Sequence, residues 1–277
     1  LSHTAGLSYG FLEPEGIIDR AYNQAAINPM LPGSSMTLES FCESLGNLPL
    51  AYHPGTFWRY SFATDVCARL VEVLSGLTFD DYLKNYMFNP LSMLDTDFYV
   101  PPEKLDRFTT MFLPDDPMNP MSPCPTPMDM PSTTSNGELP TFLSGGGGLL
   151  STLTDYLTFS RMVMAGGEWN NERIIEKQTL DLMRTDQCPA NVSVNFPMWS
   201  MPKTGFGLGF ALKGKPAEGE PQSAIGEYHW GGMAGTHFWW SPKANIAGIC
   251  MTQRMPGFWH PFSQAFKRHA YQIAAQQ

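Results

Sequence analysis

Apolar residues recur three and four positions apart through ATDVCARLVEVLSG, where Val66, Leu70, Val73 and Leu74 share one face and Gly76 is placed to stop the turn. That spacing predicts a helix over 63–76. Thr78 and Asp81 make a capping-box pattern ahead of a second helix, FDDYLKNYMF, which Pro90 closes. A third helical pattern runs from Thr154 to Gly166-Gly167, and SQAFKRHAYQIAAQ ends the chain with a fourth. From residue 205 the period changes. FGLGFAL, THFWWSP and ANIAGICMTQ read as strands, the last two joined by a Pro-Lys-Ala turn. Residues 1–52 mix short helical patterns with Gly and Pro punctuation. The order predicts an α/β (α+β) chain: a mainly helical lobe over 1–143, then an antiparallel sheet flanked by helices over 144–277.

Punctuation adds two features. Eight prolines fall between Pro114 and Pro140 without periodicity, which predicts a long surface loop of the kind that lies over clefts. The run SGGGGLLS (144–151) lacks the Lys-Ser/Thr of a phosphate loop, so tight packing or close backbone approach is the better reading.

Composition narrows the function. The 277 residues carry 17 Lys+Arg against 26 Asp+Glu, a net charge of −9, with no basic run, which argues against nucleic acid and anionic membranes as partners. No apolar run is long enough to span a bilayer. The five cysteines are widely spaced and read as free or buried thiols, and no H-E-x-x-H is present, so neither a metal site nor a cofactor is expected. Asn191-Val-Ser193 matches a glycosylation acceptor but is discounted as a chance tripeptide. The chain begins at Leu1 without a methionine, so the compartment stays open.

Three stretches carry candidate chemistry. SMPKTGF (200–206) reads as S-x-x-K overlapping K-T-G, two motifs of penicillin-recognising serine enzymes. An S-x-x-K pair needs a helix to bring amine to hydroxyl, and Pro202 sits inside this one, so Ser200 and Lys203 are expected on a loop entering a strand. Tyr60, between a Pro-Gly turn and a helix start, could serve as a general base if neighbouring cations lowered its pKa; packing is its alternative role. In HWGGMAGTHFWW, Gly231 and Gly232 open a strand, either for close ligand approach to backbone amides or as a tight strand entry.

Together, LSHTAGLSYG, HPGTFWRYSFATDVCARLVEVLSG, MFNPLSMLDTDFYVP, SGGGGLLSTLTDYLTF and HWGGMAGTHFWWSPKANIAGICMTQ resemble, in order, serine hydrolases of the class C β-lactamase type. That group includes β-lactamase-like esterases (family VIII carboxylesterases), transesterases and DD-peptidases. The resemblance covers essentially the whole chain and implies a β-lactamase/transpeptidase-like fold. It implies that Tyr60 is the tyrosine of a Y-x-N motif and that Trp230, Gly231 and Gly232 stand at the K-T-G position in a W-G-G form. It places Met233 where a backbone N–H completes the oxyanion hole. Phe62 replaces the motif's asparagine and Trp230 its lysine, two changes that favour neutral, small-molecule esters over β-lactams. The family's S-x-x-K helix is expected some tens of residues before Leu1, together with early strands that pair with the sheet, so the chain is expected to be N-terminally incomplete. The implied function is hydrolysis of short-chain carboxylic esters through an acyl-enzyme. A β-lactamase, a DD-peptidase or a non-catalytic binding homologue are the alternatives.

Overall fold

The computed structural model describes all residues except 28, 30–33, 129–137, 191, 197, 198, 202 and 277. Asn191, Pro202 and part of the proline-rich stretch therefore lie outside the described residues.

Helices α1 (Ile17–Gln24), α2 (Leu38–Gly46), α3 (Ala63–Ser75) and α4 (Phe79–Leu83) make up the first part of the chain. Asp65 lies in the first turn of α3, where a carboxylate suits the helix dipole, and Gly76 ends the helix in the left-handed region at φ 71°. The stripe that makes α3 legible faces outward: Leu70, Val73 and Leu74 are all exposed, while Ala63, Asp65 and Ala68 are buried. Small residues face inward because the glycine run packs onto this side. A Cβ at Gly145 would stand 2.5 Å from the Thr64 carbonyl oxygen and 2.9 Å from the Ala68 Cβ.

Two local expectations need correction. Thr78 caps α4 without a side-chain bond; the Phe79 N–H instead donates to Glu72 Oε1 at 3.2 Å, so no capping box forms. Within the proline-rich stretch, β1 (Met111–Leu113) pairs antiparallel with β2 (Thr126–Met128), so part of the expected loop is a ladder.

Helix α5 (Leu153–Met164) follows the glycine run, capped by Thr152, whose side chain accepts from the Asp155 N–H. Next come the pair β3 (Glu168–Trp169) and β4 (Glu172–Arg173), α6 (Lys177–Met183), and the pair β5 (Asn195–Phe196) and β6 (Trp199–Ser200). The principal sheet comprises β7 (Thr204–Phe206), β8 (Ala211–Lys213), β9 (Tyr228–Gly231), β10 (His237–Ser241) and β11 (Ile246–Cys250). It is antiparallel throughout, in the order β11-β10-β9-β8-β7. FGLGFAL is thus a hairpin rather than one strand. The Gly207 N–H donates to the Phe210 carbonyl, Gly209 takes φ 96°, and the chain reverses between β7 and β8.

The final helix, α7 (Phe262–Ala274), covers one face of the sheet. Alternation along β10 sends Trp239 to that side, with Tyr271, and Trp240 to the opposite core with Met162, Val163 and Leu180. Glu227, just before β9, is fully buried beneath α7 and accepts from Lys267 Nζ (2.6 Å) and Tyr271 Oη (2.7 Å), with Lys213 Nζ at 3.3 Å. Among the described residues no helix is long and apolar enough to cross a membrane.

Candidate active site

The extended segment before α3 carries Tyr60, and residues 3–8 run beside it. The Arg59 N–H donates to the His3 carbonyl at 2.8 Å and the Phe62 N–H to the Ser8 carbonyl at 3.4 Å. This pairing brings Tyr9 against Tyr60, with ring centroids 4.9 Å apart. From the sheet, β9 adds Trp230, whose ring lies 5.5 Å from Tyr60. Polar interaction with the Trp230 indole and the Tyr9 side chain favours the ionised form of the Tyr60 hydroxyl. Phe196, Trp58 and His3 complete an aromatic surround at 5.5, 6.4 and 4.9 Å.

Burial raises the Tyr60 pKa above its ordinary value of 10; the bonds from Trp230 and Tyr9 pull against it, and the Asp65 carboxylate adds to the rise. The expectation of a cation-lowered tyrosine is not met by the residues around it here. The reason is desolvation without a compensating positive charge.

Asp65 links this cluster to the glycine run. Its Oδ1 accepts from Ser144 Oγ at 2.6 Å and from the Gly146 N–H at 3.2 Å, while Ser144 Oγ accepts from the Gly146 and Gly147 N–H groups. Burial pushes the Asp65 carboxyl up, and the Ser144 and Gly146 bonds oppose that shift. A Cβ at Gly146 would lie 3.0 Å from the Tyr9 hydroxyl and 2.8 Å from Thr64 Oγ1. The run is glycine because backbone must pass this close to the tyrosine pair.

Gly231 and Gly232 sit where β9 leaves the sheet. A Cβ at Gly231 would meet His237 Nδ1 at 2.5 Å, and one at Gly232 would meet Thr236 Oγ1 at the same distance. Cross-strand packing alone therefore requires both glycines. The turn that follows is pinned from behind: the Gly232 N–H donates to the Thr236 carbonyl (2.7 Å), and the Met233 carbonyl accepts from the Gly257 N–H (2.7 Å). Among the described residues the Met233 N–H donates to no protein acceptor, which leaves it free for an incoming oxygen.

Phe62 reaches this cluster only through Tyr9, on the side of the helical core. It is 7 % exposed, in ring contact with Tyr9 at 4.5 Å and Phe41 at 5.0 Å, and belongs to the helical core. The structure thus brings Tyr60 and Trp230 into contact and places Met233 just beyond Gly231 and Gly232 on the turn leaving β9. Phe62 stands beside Tyr9 instead. Ser200 lies in β6, and Lys203 is in a turn with φ 55°, so no helix carries that pair. Sequence reasoning missed Tyr9, Asp65 and Ser144. The one signal for them was Gly145–Gly148, read as close packing without its target.

Comparison with known proteins now adds to the geometry. An uncharacterised protein of Mycobacterium tuberculosis is 32% identical over 272 residues, covering 92% of this chain and 61% of the relative. Esterase EstB of Burkholderia gladioli is 28% identical over 260 residues, covering 88% of this chain and 60% of its own. The chain therefore spans about three fifths of the length of these curated relatives. Among solved structures, EstCE1, a hydrolase with promiscuous acyltransferase activity, superposes with a TM-score of 0.78 at 24% identity, over 98% of this chain and 70% of its own. That similarity establishes the β-lactamase/transpeptidase-like fold, an antiparallel sheet with helices. The family profile described as Beta-lactamase matches residues 1–271, and the chain belongs to the Beta-lactamase family.

Proposed function

We propose that these residues form the proton-transfer and oxyanion side of a serine ester hydrolase, whose nucleophilic serine and partner lysine come from residues outside this sequence. The observation that carries the reading is the contact of Tyr60 with Trp230 at the W-G-G position, one strand-end away from the free Met233 N–H.

The chemistry follows from what the phenol can do. The Tyr60 phenol carries one proton, which can be directed into the cleft. As the serine oxygen adds to an ester carbonyl, its proton passes to the neutral amine of the partner lysine and the Met233 N–H stabilises the oxyanion. Collapse breaks the ester C–O bond, and the departing alkoxide takes the Tyr60 proton. The lysine, now protonated, is the cation that stabilises the tyrosinate. In deacylation the attacking water or alcohol gives its proton to the tyrosinate, and the departing serine oxygen recovers one from the lysine. Water completes hydrolysis, and an alcohol in its place would complete acyl transfer.

Substrate class rests on charge. Trp230 occupies the position of a lysine that would bind the carboxylate of a β-lactam, and an indole face repels an anion. A cation about 4 Å away at an effective dielectric of 20 would contribute roughly 4 kcal/mol. Short-chain neutral esters forgo no such contact, and Esterase EstB is named for ester chemistry. The test is an assay of the intact protein on p-nitrophenyl acetate and butyrate, alone and as Tyr60→Phe. Ester turnover that depends on Tyr60 supports the reading; turnover unchanged by Tyr60→Phe overturns it.

A further inference from the structure

Tyr9 and Tyr60 belong to segments far apart in sequence, yet their ring centroids lie 4.9 Å apart. In extended chain, neighbouring side chains point to opposite sides. Ser8 therefore projects away from Tyr9, and Arg59 and Ser61 project away from Tyr60. On that rear side the two segments are joined. Ser8 Oγ donates to Asp19 Oδ1, Arg59 Nη2 donates to the same oxygen at 2.9 Å, and Arg59 Nε donates back to Ser8 Oγ at 2.9 Å. The second Asp19 oxygen accepts from the Glu13 N–H at 2.6 Å. His3 Nδ1 and Ser61 Oγ, 3.3 Å apart, form a further link on the other flank of Tyr60.

Asp19 is 0% exposed, and its hydrogen-bond partners among the described residues are Ser8, Glu13 and Arg59. It stands in the first turn of α1, so the helix core fixes its position through Tyr22, also buried. The closed triangle of Ser8, Asp19 and Arg59 has a span set by three short bonds. That span, together with the backbone bonds from Arg59 to His3 and from Phe62 to Ser8, holds the segments that carry Tyr9 and Tyr60. A carboxylate is needed because it alone accepts at two oxygens from a hydroxyl, a guanidinium and an amide together. Glu13 holds the remaining guanidinium nitrogen at 2.7 Å from the exposed side and would keep Arg59 paired if Asp19 lost its charge.

From this arrangement we infer that Asp19 is a positioning residue: by clipping Ser8 to Arg59 it sets the Tyr9–Tyr60 contact from behind the two backbones. The inference rests on the catalytic reading of Tyr60 given above.

A double-mutant cycle in the intact enzyme tests it, with p-nitrophenyl butyrate as substrate. Asp19→Asn and Tyr9→Phe are each expected to lower kcat about tenfold with KM held within about threefold. Because both act through the one Tyr9–Tyr60 contact, the double variant should be no worse than about threefold below the weaker single variant. Leu180→Ala, a cavity variant in the opposite core, serves as the stability control and should keep kcat despite a lowered Tm. Should Asp19→Asn fail to fold, Ser8→Ala opens the same triangle while leaving the Asp19–Arg59 pair, and takes its place in the cycle. Losses that multiply in the double variant, or a kcat loss that merely follows Tm as in the control, overturn the positioning role. Tyr60→Phe separates the two levels. If it abolishes turnover while the Asp19 variant keeps full kcat, the clip is refuted alone; if it is harmless, the catalytic reading falls and the clip with it.

Discussion

The two sides of the candidate site are held together by different means. The strand side, Trp230 to Met233, inherits its geometry from a regular ladder: His237 faces Gly231 and Phe238 faces Trp230 across β9 and β10, with the Glu227 charge cluster anchoring α7 behind. The tyrosine side has no ladder. It rests on isolated backbone bonds, such as Arg59 to His3 and Phe62 to Ser8, and on side-chain bonds between segments 51 residues apart, Arg59 to Ser8, together with Asp65 to Ser144 79 residues on. A ladder distributes its constraint over many backbone bonds and tolerates the loss of one. Polar clips concentrate it in a few buried groups, so single substitutions there should act on catalysis first, while those behind the strand act on stability.

Tyr60→Phe should give the largest effect. It removes one oxygen from an otherwise unchanged aromatic cluster, and loss of a positioned acid–base group costs about a thousandfold in kcat. Steady-state kinetics with thermal melts checks it; an unchanged Tm alongside the lost rate separates chemistry from folding.

Glu227→Gln tests the other half of the comparison. It strips the negative charge from a fully buried site that faces Lys267 and Lys213, which should cost about 3 kcal/mol of stability. Denaturant titration reads the loss, and kcat at 25 °C should stay within about threefold because the β9–β10 ladder keeps Trp230 in place. A stable Glu227→Gln protein with crippled turnover would reverse the assignment of roles.

Trp230→Phe should be milder and carries a signed pH effect. The indole bond lowers the Tyr60 pKa against burial, so removing it raises that pKa further. Tyr60 then keeps its proton to higher pH, so the basic limb of the kcat profile should move upward, and as a weaker acid it should protonate the leaving alkoxide less readily, with about a tenfold loss at neutral pH. A limb that stays put would show that Trp230 does not bond the hydroxyl in solution. Ser200→Ala should be the smallest, within about threefold of the parent, because β6 and the Lys203 turn provide no helix for a nucleophile pair.

The same contrast governs what could be read from sequence. Period-2 alternation makes β10 and β11 visible, and Gly76 marks the end of α3, because these are local rules. The glycines at 145–148 signal close packing, yet which atoms they approach is a tertiary fact, fixed only when Thr64, Ala68 and Tyr9 come together. Tyr9 sits in LSYG with no pattern around it, and its partner lies in another segment. Asp65 hides as one polar position of a helix whose apolar stripe points outward. Phe62 was legible as a motif position but not as a core residue, since burial by Phe41 depends on α2 docking. The hairpin of β7 and β8 was misread as one strand because alternating glycine and apolar residues mimic a strand period where Gly207 and Gly209 make the turn.

The central claim is an ester site without the cation that a β-lactam carboxylate needs. Side-by-side kcat/KM on p-nitrophenyl butyrate and nitrocefin, measured on one preparation of the intact protein, tests it most directly. The account predicts that the ester is favoured by at least about a thousandfold, in line with roughly 4 kcal/mol for a missing ion contact. Comparable efficiency on the two substrates would contradict it, and would mean that a cation reaches the pocket beside Trp230.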